Sequence, residues 1–209
     1  MPLTAISIQG YRSIQRLYFD VDACSIFVGA NGVGKTNLYK ALGLLRAAAD
    51  GTLTRAIAQE GGIESVLWAG RRPGNKPVRL ALSAHFETLQ YDVEVGLPPP
   101  PPFNTEAAFT IEPLIREERL IMRTGQRKVA MMERKGPMVA LRNEDGAREV
   151  HKAAVLSSET ALAAFPDASR YPEIEIVRRE LLEWRLYHDF RTDEASPIRQ
   201  PCMPSRRRR

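Results

Sequence analysis

Cysteine is scarce, with only Cys24 and Cys202 in a chain of 209 residues. Two such distant thiols provide neither a disulfide framework nor the paired spacing of a metal site, so a reducing cytoplasm is the expected compartment. Long apolar runs are missing as well. No window approaches the roughly 18 consecutive apolar residues of a membrane span, and the start "MPLTAISIQGYRS" has neither the basic leader nor the apolar stretch of a signal peptide. A membrane partner is therefore not expected. The body of the chain also lacks an excess of charge. The net charge is +5 and Arg206 to Arg209 supply four of it, which leaves 5 − 4 = +1 for residues 1–205. A terminal arginine run reads as a disordered tail and less often as a nucleic-acid or localisation patch; with the body near neutral, any DNA binding is expected mostly from Arg206 to Arg209.

What is present suits a globular protein. With 44% hydrophobic and 26% charged residues, the chain can bury one core and a small second lobe. Strands are expected at 3–9 (LTAISIQ) and 17–21 (LYFDV). The nearly continuous apolar run 23–29 (ACSIFVG) predicts a third strand, covered on both faces. Leu38, Ala41, Leu42, Leu45 and Ala49 recur at three and four residues and predict a helix over 35–49, stopped by Gly51.

Residues 78–97 change to a two-residue period through Val78, Leu80, Leu82, Ala84 and Phe86, then Tyr91, Val93, Val95 and Leu97. That alternation marks half-buried antiparallel strands. Five prolines, Pro98 to Pro102, form a stiff connector. Further strands are expected at 119–123, 128–134 and 138–150, with Asn143–Gly146 as a hairpin turn. A last helix is expected from Pro172 through Ile174, Val177, Leu181, Trp184 and Leu186.

The segment "SIFVGANGVGKTNLYKAL" (25–42) contains the strongest chemical signal. "GANGVGKT" matches G-x-x-x-x-G-K-[ST] without deviation, between an apolar run and the head of a helix. Glycines at this spacing let backbone N–H groups curl around an anion, and the helix start turns its positive dipole end toward the same anion. The candidate nucleotide-binding residues are Gly29, Ala30, Asn31, Gly32, Val33, Gly34, Lys35, Thr36 and Asn37. Lys35 suits the outer phosphates and the Thr36 hydroxyl suits Mg2+. A guanine reader of the form Asn-Lys-x-Asp is missing, because "NKPV" (75–78) lacks the aspartate. The β-rich segment after the loop also speaks against a small nucleoside kinase.

"IQGYRSI" (8–14) followed by a strand and "GANGVGKTNL" resembles the opening of ABC-type ATPases of the RecF, SMC and OLD-nuclease group, also described as AAA-21-like. The resemblance implies an α/β fold: a P-loop NTPase lobe with a mixed sheet and a helix after the loop, an antiparallel β subdomain at 78–150 and a C-terminal helix. It implies ATP and Mg2+ as cofactors, and Arg12 and Ser13 close to the nucleotide. DNA is an implied partner, together with a homodimer or a second subunit, in DNA repair or phage defence.

Such ATPases also need a Leu-Ser-x-Gly signature, an apolar strand ending in Asp-Glu (Walker B) and a switch histidine. The nearest counterparts here are "LSSE" (156–159), which has no glycine, and Asp193–Glu194, which follows "HDFRT" rather than an apolar strand. No residue is assigned as catalytic. Gln200 is a candidate Mg2+ contact by analogy with a lid glutamine. The expectation is a truncated ATP-binding lobe over 1–190 with a disordered tail at 191–209. That chain either acts as an ATPase with its missing half or partner, or binds nucleotide without turnover.

Overall fold

Alternating apolar and polar residues joined by short turns build hairpins, and hairpins assemble into antiparallel sheets. The computed structural model describes residues 1–30, 32–70, 79–97, 112–152 and 155–187. Its strands are β1 (Leu3–Tyr11), β2 (Ile14–Asp20), β3 (Leu80–Phe86), β4 (Leu89–Gly96), β5 (Leu114–Thr124), β6 (Arg127–Lys135), β7 (Met138–Arg142) and β8 (Arg148–Lys152). They form one eight-stranded sheet in the order β2-β1-β3-β4-β5-β6-β7-β8. Each neighbouring pair is antiparallel.

Five helices complete the described fold: α1 (Lys35–Asp50), α2 (Leu53–Gln59), α3 (Ile63–Val66), α4 (Ala161–Ala164) and α5 (Pro172–Glu183). The sheet face that carries Ile6, Ile8, Leu82, Tyr91 and Leu120 shares one core with Leu38, Ala41, Leu45 and Ala48 of α1 and Ile174, Val177 and Leu181 of α5. On the opposite face the register lines up Ser7, Ser83, Asp92, Arg119 and Glu133 across five strands. One face is apolar and the other polar, which is the pattern that the alternation in 78–97 predicts.

A charged pair lies inside the apolar face. Glu118 and Arg134 sit opposite each other across β5 and β6, 3.1 Å apart, each with a side chain that is 0% exposed. Glu118 accepts from the Tyr91 hydroxyl at 2.9 Å and from the amides of Ala161 (2.6 Å) and Leu162 (3.3 Å), so it caps the start of α4. Arg134 donates to the carbonyls of Leu156 (2.9 Å), Glu159 and Gly136 (2.9 Å). Burial pushes the Glu118 carboxyl above its ordinary range, against the pull of these amides and of Arg134. Thr160, between the two anchored stretches, donates its hydroxyl to the carbonyl of Ala48 in α1 at 2.6 Å.

Two expectations are corrected. The α/β lobe with a mixed sheet does not form, because all seven strand pairings are antiparallel and the helices pack beside an uninterrupted antiparallel sheet. The architecture is α+β. The strand expected at 23–29 is absent: residues 23–29 carry no strand, and Ile26 and Val28 are 81% and 91% exposed. A β-rich composition makes a strand only where a neighbour completes its ladder. The adjoining edge strand β2 pairs only with β1 among the described residues. The helix at 35–49 and its stop at Gly51, which adopts φ 76°, agree with expectation. So does the 143–146 turn, closed by Asn143 N–H to Ala147 O at 3.0 Å. Pro98 to Pro102 and Val78 lie outside the described residues.

Removing one partner of a buried ion pair leaves the other charge uncompensated. Glu118→Ala is therefore expected to lower unfolding stability by roughly 3–5 kcal/mol, measured by urea denaturation. A loss under about 1 kcal/mol would contradict the anchoring role given to this pair.

Candidate functional site

The glycine loop ends where α1 begins. The first helical bond runs from the Leu38 amide to Gly34 O at 3.1 Å, so helix geometry leaves the amides of Lys35, Thr36 and Asn37 without intrahelical partners. The N-cap is Gly34, no side chain caps the helix, and no acidic residue stands in the first turn. Those amides and the dipole of a 16-residue helix form a positive terminus suited to an anion.

Gly34 adopts φ 102°, and a Cβ there would stand 2.9 Å from Ser13 Oγ. That hydroxyl accepts from Asn37 Nδ2 at 2.8 Å. The turn between β1 and β2 is thus fastened to the first turn of α1. Lys35 reaches back over the loop, its ammonium donating to Ala30 O at 2.8 Å and to Gly29 O. Lys35 and Thr36 are exposed. The loop is bordered by exposed apolar side chains, Ile26, Phe27, Val28 and Val33, with Phe27 held edge-on against Phe19 at 5.0 Å.

Of the two residues implied beside the loop, the structure brings Ser13 to it and turns Arg12 elsewhere. Arg12 Nε donates to Glu60 Oε2 at 2.9 Å, and the Tyr11 hydroxyl donates to the same oxygen at 2.7 Å. Burial and the Glu60 carboxylate push the Tyr11 hydroxyl well above its ordinary range. Arg12 has φ 47°, and among the described residues no other non-glycine residue has a positive φ. The Glu60 contact has no sequence signal, since it joins residues 48 positions apart.

"LSSE" is a structural turn. Its four carbonyls accept in succession from Arg134 Nη2, the Ile115 amide, the Thr54 hydroxyl and Arg134 Nη1. Asn31, Asp193, Glu194 and Gln200 lie outside the described residues. Among the described residues no group of three or more His, Cys, Asp or Glu side chains converges as a metal cluster, and no helix is long and apolar enough to cross a membrane.

A family model described as "Protein of unknown function (DUF2813)" matches residues 1–54. The match is 54 of 209 residues and spans β1, β2, the glycine loop and α1. The chain is similar to that family over this stretch. No curated protein matches it.

A left-handed backbone costs a side-chain-bearing residue roughly 1–2 kcal/mol. Gly34→Ala is expected to lose about that much stability in thermal unfolding without nucleotide. An unchanged melting curve would mean that Gly34 does not hold this conformation.

Proposed function

We propose that the chain binds Mg2+-ATP through residues 29–37. The observation that supports this most directly is the sequence G-x-x-x-x-G-K-T seated at the free N-terminus of α1, with Lys35 poised over its loop. A polyphosphate suits these groups, because the loop offers N–H donors and one ammonium and no carboxylate. Lys35 would exchange the carbonyls of Gly29 and Ala30 for phosphate oxygens. Thr36 would supply a hydroxyl to Mg2+, whose remaining ligands would come from the nucleotide phosphates and water. The resemblance to the RecF, SMC and OLD-like ATPases supports ATP over GTP, as does the lack of a guanine reader.

Hydrolysis requires more than a grip. Water must be oriented and the developing charge compensated, and no residue of the chain reads as the Walker B carboxylate that would do the first. The "LSSE" turn has its backbone acceptors engaged internally, which supports a structural role there. The reading adopted is nucleotide binding with turnover near background for this chain alone. A homodimer or second subunit would supply the remaining groups in a DNA-repair or phage-defence ATPase.

Titration calorimetry tests the binding step. Lys35→Ala removes a charge-assisted contact of about 1.5–3 kcal/mol, so affinity for Mg2+-ATP is expected to fall roughly tenfold to hundredfold. Equal affinity of parent and variant contradicts the assignment. Turnover in the parent that is abolished by Lys35→Ala would show that a catalytic carboxylate is present after all.

A further inference from the structure

The β5–β6 hairpin concentrates positive charge within the near-neutral body of the chain, apart from the Arg206 to Arg209 run. Residues 119–128, RLIMRTGQRK, contain four cations and no acid, whereas residues 1–205 together sum to 5 − 4 = +1. The sheet register puts Arg123 directly opposite Lys128, with Arg127 next in line opposite Thr124. Like charges placed opposite on neighbouring strands repel and destabilise a hairpin. Residues 123–128 are all exposed. Among the described residues Arg123, Arg127 and Lys128 form no ion pair, and the Arg123 guanidinium donates to the neutral Gln90 amide oxygen.

The hairpin also projects. On one side β4 begins at Leu89, paired with Met122, and only the Thr88 carbonyl reaches further, to the Arg123 amide. On the other side β7 meets β6 only from Met132 onward. The two strands around Gly125–Gln126 therefore run past β4 by roughly 7 Å and past β7 by roughly 17 Å, at about 3.4 Å per residue. Registers through β1, β3 and β4 put Leu3, Phe86, Leu89 and Met122 at one end of the sheet. Ser13 and the glycine loop lie at the other end of β1.

We propose that this hairpin is a nucleic-acid-binding arm that contacts the phosphates of duplex DNA, independently of the nucleotide site. Three cations on a narrow two-stranded ribbon suit a duplex, whose major groove, about 12 Å wide, admits such a ribbon between two phosphate rows. An anionic bilayer is the less suitable partner, because no exposed large apolar residue lies in 119–130 to enter it.

Fluorescence anisotropy with a labelled DNA duplex, across a salt series and without ATP, tests the arm. The variant Arg123→Gln/Arg127→Gln/Lys128→Gln is expected to lose roughly tenfold or more in affinity at low salt. Its log–log salt slope should be shallower by about 2 to 3, as counterion release at three phosphates requires. Lys135→Gln/Lys152→Gln removes charge at the opposite end of the same sheet and should bind like the parent. Circular dichroism of each variant reports folding, and since the arm residues are exposed the spectra should coincide. The proposal is overturned if the arm variant binds like the parent, if the control double variant loses as much, or if deleting Arg206 to Arg209 alone abolishes binding. Tighter capture of the parent by phosphatidylserine vesicles than by the duplex would also overturn it.

Discussion

Glu118 and Arg134 share a dry interior, and neither charge is stable there without ligands of its own. Each finds them in the segment 155–162: Arg134 in its carbonyls, Glu118 in its amides. Val155, Ala161 and Leu162 of that segment reach the apolar core, while the pair holds its polar backbone groups. Its position on the sheet depends on the pair, and α1 depends in turn on the segment. Thr160 bonds the Ala48 carbonyl near the C-terminal end of α1, and Ser158 O accepts from Thr54 at the start of α2. At the opposite end Asn37 is bonded to Ser13 in the β1–β2 turn. The helix that follows the glycine loop is thereby tied at both ends to the antiparallel sheet. Such a fixed terminus can present its amides without first ordering them, which favours anion binding.

Several of these features were legible in the sequence. The three- and four-residue period of Leu38, Ala41 and Leu45 marks α1, and the two-residue period marks β3 and β4, because each pattern follows from burying one face of one element. The run 23–29 misleads because its composition states a preference, while a strand needs a partner that composition cannot name. The mixed sheet fails for a different reason: the motifs that carry the family likeness lie in residues 8–38, whereas strand pairing is set across the whole sheet. Helices α3 and α4 have four residues each, too few for a periodic signal and dependent on tertiary contacts. Glu118 hides in "REERLIMR", although its parity with the buried Leu120 is the clue that it faces inward.

At the site, the loop, Lys35 and Thr36 follow from the motif, and Ser13 follows from the family likeness. The engagement of Arg12 by Glu60 does not, since a left-handed arginine and a partner across the fold leave no local trace. The two charged regions of the molecule have different logic. The glycine loop gathers backbone donors around one point, whereas the β5–β6 arm spreads three side-chain cations along a ribbon. They lie at opposite ends of the strands, so one can be altered while the other is left intact.

The central claim is that the N-terminal amides of α1 are free in the unliganded chain and become donors to phosphate. Amide hydrogen exchange, read residue by residue with and without saturating Mg2+-ATP, tests it most directly. The account predicts that nucleotide slows exchange at Gly32 to Asn37 and leaves Arg123 to Lys128 unchanged. Loop amides that exchange at the same rate in both conditions would contradict it.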